Sequence, residues 1–205
     1  FGNTNLSLNG LNLSLNNLSV KNTNNDFLVK GEVKNSDYDL SNEEIELLIK
    51  PYFPNFQIDN LILKSENKFS FKINKKYQLK DFSLSSNIEI KELLFMNKLK
   101  LENFLPNINN NIKLSNHKIK IDYKEKELTV SGNGDVLLQD ELDKLSYSIF
   151  NKDKKTNFEI FVKIKKNPFV VDFLDYEKKE KNEMSINLKG SSNNQNILFN
   201  LISFK

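Results

Sequence analysis

Alternation of apolar and polar residues with a period of two is the feature that most constrains what this chain can fold into. Successive side chains of a β-strand point to opposite faces, so this alternation marks a strand with one dry face and one wet face. The clearest run extends from Phe158 to Ile164, where every second residue is apolar. Comparable runs recur along the whole chain, and they predict a mainly β protein.

Turn-forming residues separate these runs. Asn and Asp dominate the breaks, because their side chains bond to the nearby backbone and tolerate a left-handed conformation. Asn9-Gly10 separates two short apolar runs and predicts a tight two-residue hairpin. The spacing predicts about thirteen strands, joined mostly as a meander into a long, twisted and curled antiparallel sheet.

One segment departs from the period of two. Ser41 and Glu44 have the spacing of a capping box, and apolar residues at helical spacing follow them. Pro51 and Pro54 are expected to stop the helix. We therefore predict one short α-helix near residues 42–50, whereas the stretch 92–96 fits either a helical turn or a strand.

A loose motif of apolar residue, any residue and glycine closes three of the predicted strands. It occurs at Val29–Gly31, Val130–Gly132 and Leu188–Gly190. Two interpretations remain open: a structural repeat, or glycines that merely end strands. The same pattern continues across the chain without a shift in composition. We therefore expect residues 1–205 to be a single continuous segment of a longer protein, with a weak break at 107–111.

Composition and charge exclude several classes of function. The chain has no cysteine, so disulfides and thiolate metal sites are excluded. The net charge is +3, with acidic residues interleaved among the lysines, so no clustered basic face predicts a nucleic-acid partner. No apolar run is long enough for a membrane helix, and any anchor is expected outside this segment.

Few residues suggest catalysis. The single histidine, His117, has no local partner and is expected to be a solvated surface residue. The pair Glu43/Glu44 fits a helix start, Asp140/Glu141 fits a turn, and Asp172/Asp175 would lie on opposite faces of an ideal strand. Gly132-Asn133-Gly134 lacks the context of a phosphate loop and predicts a bulge or a close approach of strands. The sequence therefore predicts no enzyme, no cofactor and no metal.

The apolar face of such a sheet needs a cover. A second sheet could supply it, or the sheet could close on itself into a barrel. Alternatively, the sheet could curl in part and be filled by an apolar ligand such as acyl chains. Burial of apolar area is favourable in all three arrangements, so the alternation alone does not choose between them.

Several short segments together resemble a known family. They are Val130–Leu138, Asp143–Tyr147, Phe173–Lys178 and Ile186–Gly190. Their succession resembles the AsmA-like superfamily, in particular the YhdP- and TamB-type proteins with a repeating β-groove. The resemblance is best over residues 125–205.

The resemblance implies a location and a function. It implies a periplasmic protein tethered to the inner membrane, whose apolar groove shields phospholipid acyl chains that move between the inner and outer membranes. Other envelope proteins are possible partners. The implied lipid-binding face consists of Ile119, Ile121, Leu128, Val130, Val136, Leu138, Leu145, Tyr147, Ile149, Phe158, Ile160, Val162, Ile164, Met184, Ile186 and Leu188. The alternative is a structural or interaction module, such as a sandwich, a solenoid or an assembly scaffold, in which the same residues form a closed core.

Overall fold

The structure is a computed structural model that describes residues 4–8, 11–23, 25–51, 57–97, 101–153, 155–178, 182–193 and 196–205. The fold is mainly β, with 73% of residues in strands. The strands are β1 (Thr4–Leu8), β2 (Leu11–Thr23), β3 (Asp26–Asp39), β4 (Ile58–Asn74), β5 (Leu79–Met96), β6 (Asn111–Lys124), β7 (Glu127–Leu137), β8 (Leu142–Lys152), β9 (Lys155–Ile164), β10 (Val170–Val171), β11 (Tyr176–Glu177), β12 (Met184–Ser192) and β13 (Ile197–Phe204). The helix α1 spans Asn42–Leu48, and Asp172–Leu174 form one 3-10 turn.

Eleven of these strands form one antiparallel meander. Its order is β1 to β9, then β12 and β13, while β10 and β11 pair separately. The sheet is not closed, so β1 and β13 are its edges in the described part of the chain. The prediction of a mainly β chain with about thirteen strands and one short helix is confirmed.

The strand register places the apolar residues on one side of the sheet. Ile119 lies opposite Ile88 on β5, and the pairing runs on through β7, where Val130 lies opposite Ile149 on β8. Paired residues in antiparallel strands share a face. We call this side the apolar face. It contains Ile119, Val130 and Ile149, together with the residues of the neighbouring strands that lie opposite them in the register.

Charged pairs cover the opposite side of the sheet. Lys64 lies directly opposite Glu89, with 2.8 Å between their charged atoms, and Lys189 lies opposite Glu159 at the same distance. The hydrogen bond from Lys64 lowers the pKa of the Glu89 carboxyl. Such exposed pairs contribute little stability each. They keep this side wet, and they leave the apolar face as the side that needs a cover.

The two ends of the strands are built differently. At one end the strands turn back through short hairpins, as at residues 74–79, 124–127 and 152–155. We call this end the hairpin rim. At the other end lie α1 and the longer connections, including 101–110 and 165–178, and we call it the cap rim. Elements that can fold over the apolar face therefore approach it from the cap rim.

The helix α1 begins with the predicted capping box. The Glu44 backbone N–H donates to the Ser41 hydroxyl oxygen over 3.3 Å, and the Ser41 backbone N–H donates to the Glu44 carboxylate over 2.9 Å. The helix ends at Leu48, two residues before the predicted end; Pro54 lies outside the described residues. Ile45 is buried against Leu61 and Ile90, so α1 covers part of the apolar face beside the cap rim.

A second cover lies over β9 and β12. Leu105 and Phe169 pack against Ile164 and Met184 in a small buried cluster. A buried network of hydrogen bonds holds the connections in place. The Gln139 amide donates to the Pro168 carbonyl oxygen over 2.9 Å. Because the buried Gln139 side chain has a hydrogen-bond partner in the 165–178 connection, it holds this second cover against the sheet.

Asp143 and Asn167 complete this network. The Asn167 amide donates to the Asp143 carboxylate over 2.7 Å, and the Lys165 backbone N–H donates to it over 3.0 Å. Burial raises the pKa of the Asp143 carboxyl, although both hydrogen bonds oppose that rise. Buried carboxylates need such partners, which ties the 165–178 connection to the start of β8.

Some local interpretations were settled by the structure. The ambiguous stretch 92–96 belongs to the strand β5. Asp172 opens the 3-10 turn and Asp175 follows it in a left-handed conformation, φ 48°, so the strand assumed for this pair was wrong. Of the Asn-rich residues 107–111, the first four lie between β5 and β6, and Asn111 begins β6, which pairs with β5. Asn9-Gly10 lie outside the described residues, although Leu8 and Leu11 pair across them.

The contact between α1 and the sheet can be tested by removing one side chain. Ile45→Ala should lower the free energy of unfolding by about 2–4 kcal/mol, because it empties a buried site between α1 and the sheet. Leu47→Ala is the matched control, since Leu47 is 73% exposed on the same helix and its loss should cost under about 0.5 kcal/mol. Urea unfolding measures both. Equal costs would show that α1 does not pack on the sheet.

Candidate functional site

The structure places fifteen of the sixteen predicted site residues on strands, on the apolar face. They come from five strands that are neighbours in the sheet, β6 to β9 and β12. These residues are Ile119, Ile121, Leu128, Val130, Val136, Leu145, Tyr147, Ile149, Phe158, Ile160, Val162, Ile164, Met184, Ile186 and Leu188. The alternation in sequence therefore becomes a continuous apolar surface.

Leu138 is the exception, and its predicted place on a strand was wrong. The strand β7 ends at Leu137, and Leu138 lies in the connection to β8. There its carbonyl oxygen accepts a hydrogen bond from the Asn109 backbone N–H over 2.8 Å. Its side chain packs against the buried cluster around Leu105. Leu138 therefore belongs to the cover at the cap rim and not to the strands that form the apolar face.

Coverage of the apolar face is uneven. Val136, Ile164 and Met184 near the cap rim are buried, whereas the other predicted residues on the strands are half-buried. Toward the hairpin rim, Ile121 and Val130 belong to neither buried cluster in the described part of the chain. In the described part of the chain, the apolar surface is therefore fully buried only near the cap rim and is half-buried elsewhere.

Glycine and aromatic residues pair across the strands of this face. Gly31 lies opposite Phe69, and a Cβ added to the glycine would come within 2.6 Å of the Phe69 ring. Gly132 lies opposite Tyr147 in the same way, with 2.5 Å between such a Cβ and Tyr147 Cζ. Each ring occupies the space that a side chain would need, so only glycine fits at these positions.

The third glycine of the motif repeats the arrangement. Gly190 lies opposite Phe158, whose Cζ would be 2.6 Å from an added Cβ. All three apolar-x-Gly motifs therefore carry an aromatic ring from the neighbouring strand over the glycine. Covering a strand glycine with a ring in this way stabilises sheets. It also keeps the rings close to the sheet, so that they do not fill the space above it.

The prediction that His117 is a solvated surface residue was wrong. Its side chain is fully buried on the apolar face, opposite Ile90. Its ring stacks on Tyr147 with centroids 5.6 Å apart and lies against Gly134, which explains the second glycine of Gly132-Asn133-Gly134. Neither ring nitrogen has a hydrogen-bond partner among the described residues.

The electrostatic state of His117 follows from this burial. Burial lowers the pKa of the imidazole, and the nearby Asp135 carboxylate opposes that shift. Asp135 itself forms a salt bridge with Lys144 and accepts a hydrogen bond from Asn116. A neutral imidazole without hydrogen-bond partners packs as an aromatic side chain of the apolar face and is poorly placed to act as a general base.

A polar belt interrupts the apolar face on β3 to β5, and the sequence analysis did not identify it. The Ser65 hydroxyl donates to the Asn35 side-chain oxygen over 2.5 Å, and the Asn67 amide donates to the Ser65 oxygen over 2.7 Å. Ser86 completes the belt through Asn67. The only signal was the loss of apolar residues at alternate positions before Phe69.

Bulges add apolar residues that the period of two could not reveal. The pairing of β6 with β7 shifts between Ser115 and Lys118, where Asn116 has a left-handed φ of 48°. Beyond the shift, Ile112 and Leu114 join the apolar face, although their numbers differ in parity from Ile119. A bulge inserts one residue and reverses the alternation, so a fixed period misses these residues.

Clusters of metal-ligating side chains were sought in the described part of the chain. Within the described ranges no three His, Cys, Asp or Glu side chains are close enough to hold a metal ion. No helix in the same part of the chain is long and apolar enough to cross a membrane.

Comparisons with models of protein families, with curated proteins and with solved structures gave no match.

The contact between glycine and aromatic ring predicts a specific coupling. Gly132→Ala should cost about 1–3 kcal/mol of unfolding free energy, because the new methyl group meets the Tyr147 ring. The same change in a Tyr147→Ala background should cost far less, since the ring is then absent. A double-mutant cycle by urea unfolding measures the difference. Additive costs would mean that the ring does not restrict position 132.

His117 predicts a loss of stability in acid. Its folded pKa lies below the ordinary value of 6.5, so the unfolded chain takes up a proton first as the pH falls. Stability should therefore fall as the pH drops below 6.5, by at most about 1.4 kcal/mol per pH unit from this group. His117→Phe keeps a ring and removes the titration. Unfolding of both proteins from neutral pH to acid isolates the effect, and parallel curves would contradict it.

Proposed function

We propose that this chain is a segment of an AsmA-like envelope protein whose apolar face shields the acyl chains of phospholipids between the inner and outer membranes. The single observation that carries the proposal is the continuous apolar surface on β6 to β9 and β12, which the described residues bury at the cap rim and leave half-buried toward the hairpin rim. Single monomeric proteins rarely expose contiguous apolar surface of this kind without a ligand or partner for it.

The size and chemistry of acyl chains suit this surface. An acyl chain has no polar atoms that need a hydrogen bond, and each methylene removed from water contributes about 0.8 kcal/mol. On the apolar face, half-buried aliphatic side chains such as Ile121, Val130 and Ile149 would contact the acyl chains. Because Tyr147 lies flat over Gly132, the space above the floor is not filled by its ring.

The resemblance in sequence supports the same proposal. Gly132 and Gly190, which carry rings from neighbouring strands, lie within two of the segments that resemble the AsmA-like superfamily. In that family the apolar interior of a repeating β-groove is the part that holds lipid. Periplasmic location and attachment to the inner membrane follow from the proposal and not from the described residues.

A structural or interaction module is the second candidate, and the edge strand β13 favours it. Six large apolar side chains of β13 are more than 40% exposed: Ile197, Leu198, Phe199, Leu201, Ile202 and Phe204. An edge strand of this kind can pair with a strand of another protein. Such pairing extends the sheet beyond β13, and a further layer of the partner protein would cover the apolar face in place of lipid.

Uptake of a fluorescent phospholipid by the delipidated protein tests the proposal. We expect saturable uptake by the unaltered chain and a loss of at least about tenfold in Ile149→Asp, because a charge on the floor must be desolvated by an acyl chain. Ser148→Asp is the matched control. Ser148 is the neighbouring residue on β8, is exposed on the opposite side of the sheet, and should leave uptake unchanged.

Circular dichroism should show that both variants keep the fold of the unaltered protein. Equal loss in both variants, or no uptake by the unaltered chain, would overturn the proposal. Crosslinking from position 149 in cells then separates the two candidate functions, since a lipid groove yields lipid adducts and a covered core yields only protein adducts.

A further inference from the structure

The hairpin between β4 and β5 combines strong exposure of apolar side chains with a high density of lysine. At its tip Tyr77 is 91% exposed, and Leu79 beside it is 59% exposed. The segment from Lys72 to Asp81 contains four lysines and one aspartate, a net charge of +3 that equals the net charge of the whole chain. No requirement of the fold explains an aromatic ring held in solvent at this place.

The turn itself is constructed to present Tyr77. The Asn74 side-chain oxygen accepts hydrogen bonds from the backbone N–H groups of Lys76 and Gln78, each over 2.9 Å. Tyr77 adopts a left-handed φ of 59°, which a bulky side chain rarely does. Asparagine or glycine would fit this conformation without strain. A strained residue that gains no packing in return is an indication of function.

An apolar row joins this tip to the apolar face. Phe27 lies opposite Ile73, and Ile73 lies opposite Leu79, so the three side chains are neighbours on the same side of the sheet. Phe27 is 44% exposed. This row is the last one of the apolar face before the hairpin rim, and it leads directly to the turn that carries Tyr77.

Lysines surround the row, and most are not neutralised by acidic neighbours. Lys72 forms a salt bridge with Asp81 over 2.7 Å. Lys75, Lys76 and Lys80 form no salt bridge within the part of the chain that the structure describes, and all three are exposed. Their charge is available to an anionic partner.

The other described hairpins on this rim lack the combination. In the 124–127 hairpin two lysines stand beside two glutamates, and Lys124 forms a salt bridge with Glu125. That hairpin and the one at 152–155 carry no exposed large apolar side chain. Ile197 beyond the last hairpin is exposed, but no lysine accompanies it. Among the hairpins at 74–79, 124–127 and 152–155, the first alone combines exposed large apolar side chains with several lysines that form no salt bridge in the described part of the chain.

We propose that the β4–β5 hairpin docks on a lipid bilayer that carries anionic headgroups. Tyrosine is enriched at membrane interfaces, because its ring is apolar and its hydroxyl is polar. Exposed lysines are attracted by negatively charged headgroups, and each adds to the affinity. Tyr77 and Leu79 enter the interfacial layer, while Lys75, Lys76 and Lys80 contact the headgroups.

This inference rests on the proposed function only for its purpose, since docking would bring the apolar face to a membrane that supplies or accepts lipid. The row of Phe27, Ile73 and Leu79 would then be the first apolar surface that an acyl chain meets outside the bilayer. Docking itself requires only the hairpin, and it can be measured without lipid transfer.

Co-sedimentation with vesicles tests the docking. Vesicles of phosphatidylcholine alone are compared with vesicles that also contain phosphatidylglycerol. The unaltered chain should bind the anionic vesicles preferentially and lose binding as salt is raised. Lys75→Gln with Lys76→Gln should weaken binding on the order of tenfold or more. Lys165→Gln with Lys166→Gln is the matched control, an adjacent exposed pair on the cap rim that should leave binding unchanged.

A second variant removes the ring without harming the fold. Tyr77→Asn should reduce binding several-fold and leave thermal stability unchanged or raised, because asparagine accepts the left-handed conformation more readily. Equal binding to neutral and anionic vesicles would overturn the inference, as would equal loss in the two lysine pairs. Ile149→Asp should still dock, because position 149 lies outside the hairpin. If the unaltered chain docks but takes up no lipid, the proposed function alone is refuted, and if it takes up lipid but does not dock, the docking alone is refuted.

Discussion

The register of the antiparallel ladder is the constraint on which the rest of this structure depends. A shift of one residue between two strands would move every apolar side chain of one strand to the wet side. The observed pairing avoids this even where a strand contains an extra residue. At Asn116 the chain bulges, so that Leu114 and His117 both face the apolar side although their numbers differ in parity. The bulge therefore keeps the apolar side chains of β6 on one face of the sheet, although the sequence of this strand is not strictly periodic.

The sequence was sufficient for the architecture, and less so for the details of the face. Alternation identified the strands and the apolar positions from Ile119 to Leu188, because those runs are regular. It failed where a local conformation reverses parity, as at Ile112, or where a strand ends early, as at Leu138. His117 was misplaced for another reason: its parity matched Ile119 and Ile121, but its polar character was given more weight than the pattern. Its burial depends on two neighbours in space: the Tyr147 ring stacks on the imidazole, and Gly134 leaves room for it.

Glycine has an unusual role in this sheet. Within a strand it normally weakens packing, since it leaves a gap on the face. Here the gaps at Gly31, Gly132 and Gly190 are filled by rings from the neighbouring strands, which lie against the sheet. The rings contribute apolar area to the floor and take little height above it. A core that had to be filled by a second protein layer would gain more from rings that point away from the sheet. The flat arrangement is compatible with the proposed function, in which acyl chains lie along the apolar face.

The two rims divide the tasks of closing and opening this surface. At the cap rim, α1 and the connections held by Gln139, Asp143 and Asn167 bury the apolar face with satisfied polar groups. At the hairpin rim the turns are short and cannot reach over the sheet, so the apolar face extends to the edge at Phe27 and Leu79. Of the two rims, the hairpin rim is therefore the one from which the apolar face remains accessible. That rim also carries the exposed lysines and Tyr77, so the charge and the opening coincide on the same side of the molecule. The proposed phospholipid ligand would meet both requirements together, because its acyl chains would lie on the apolar face and its headgroup would remain beside the lysines.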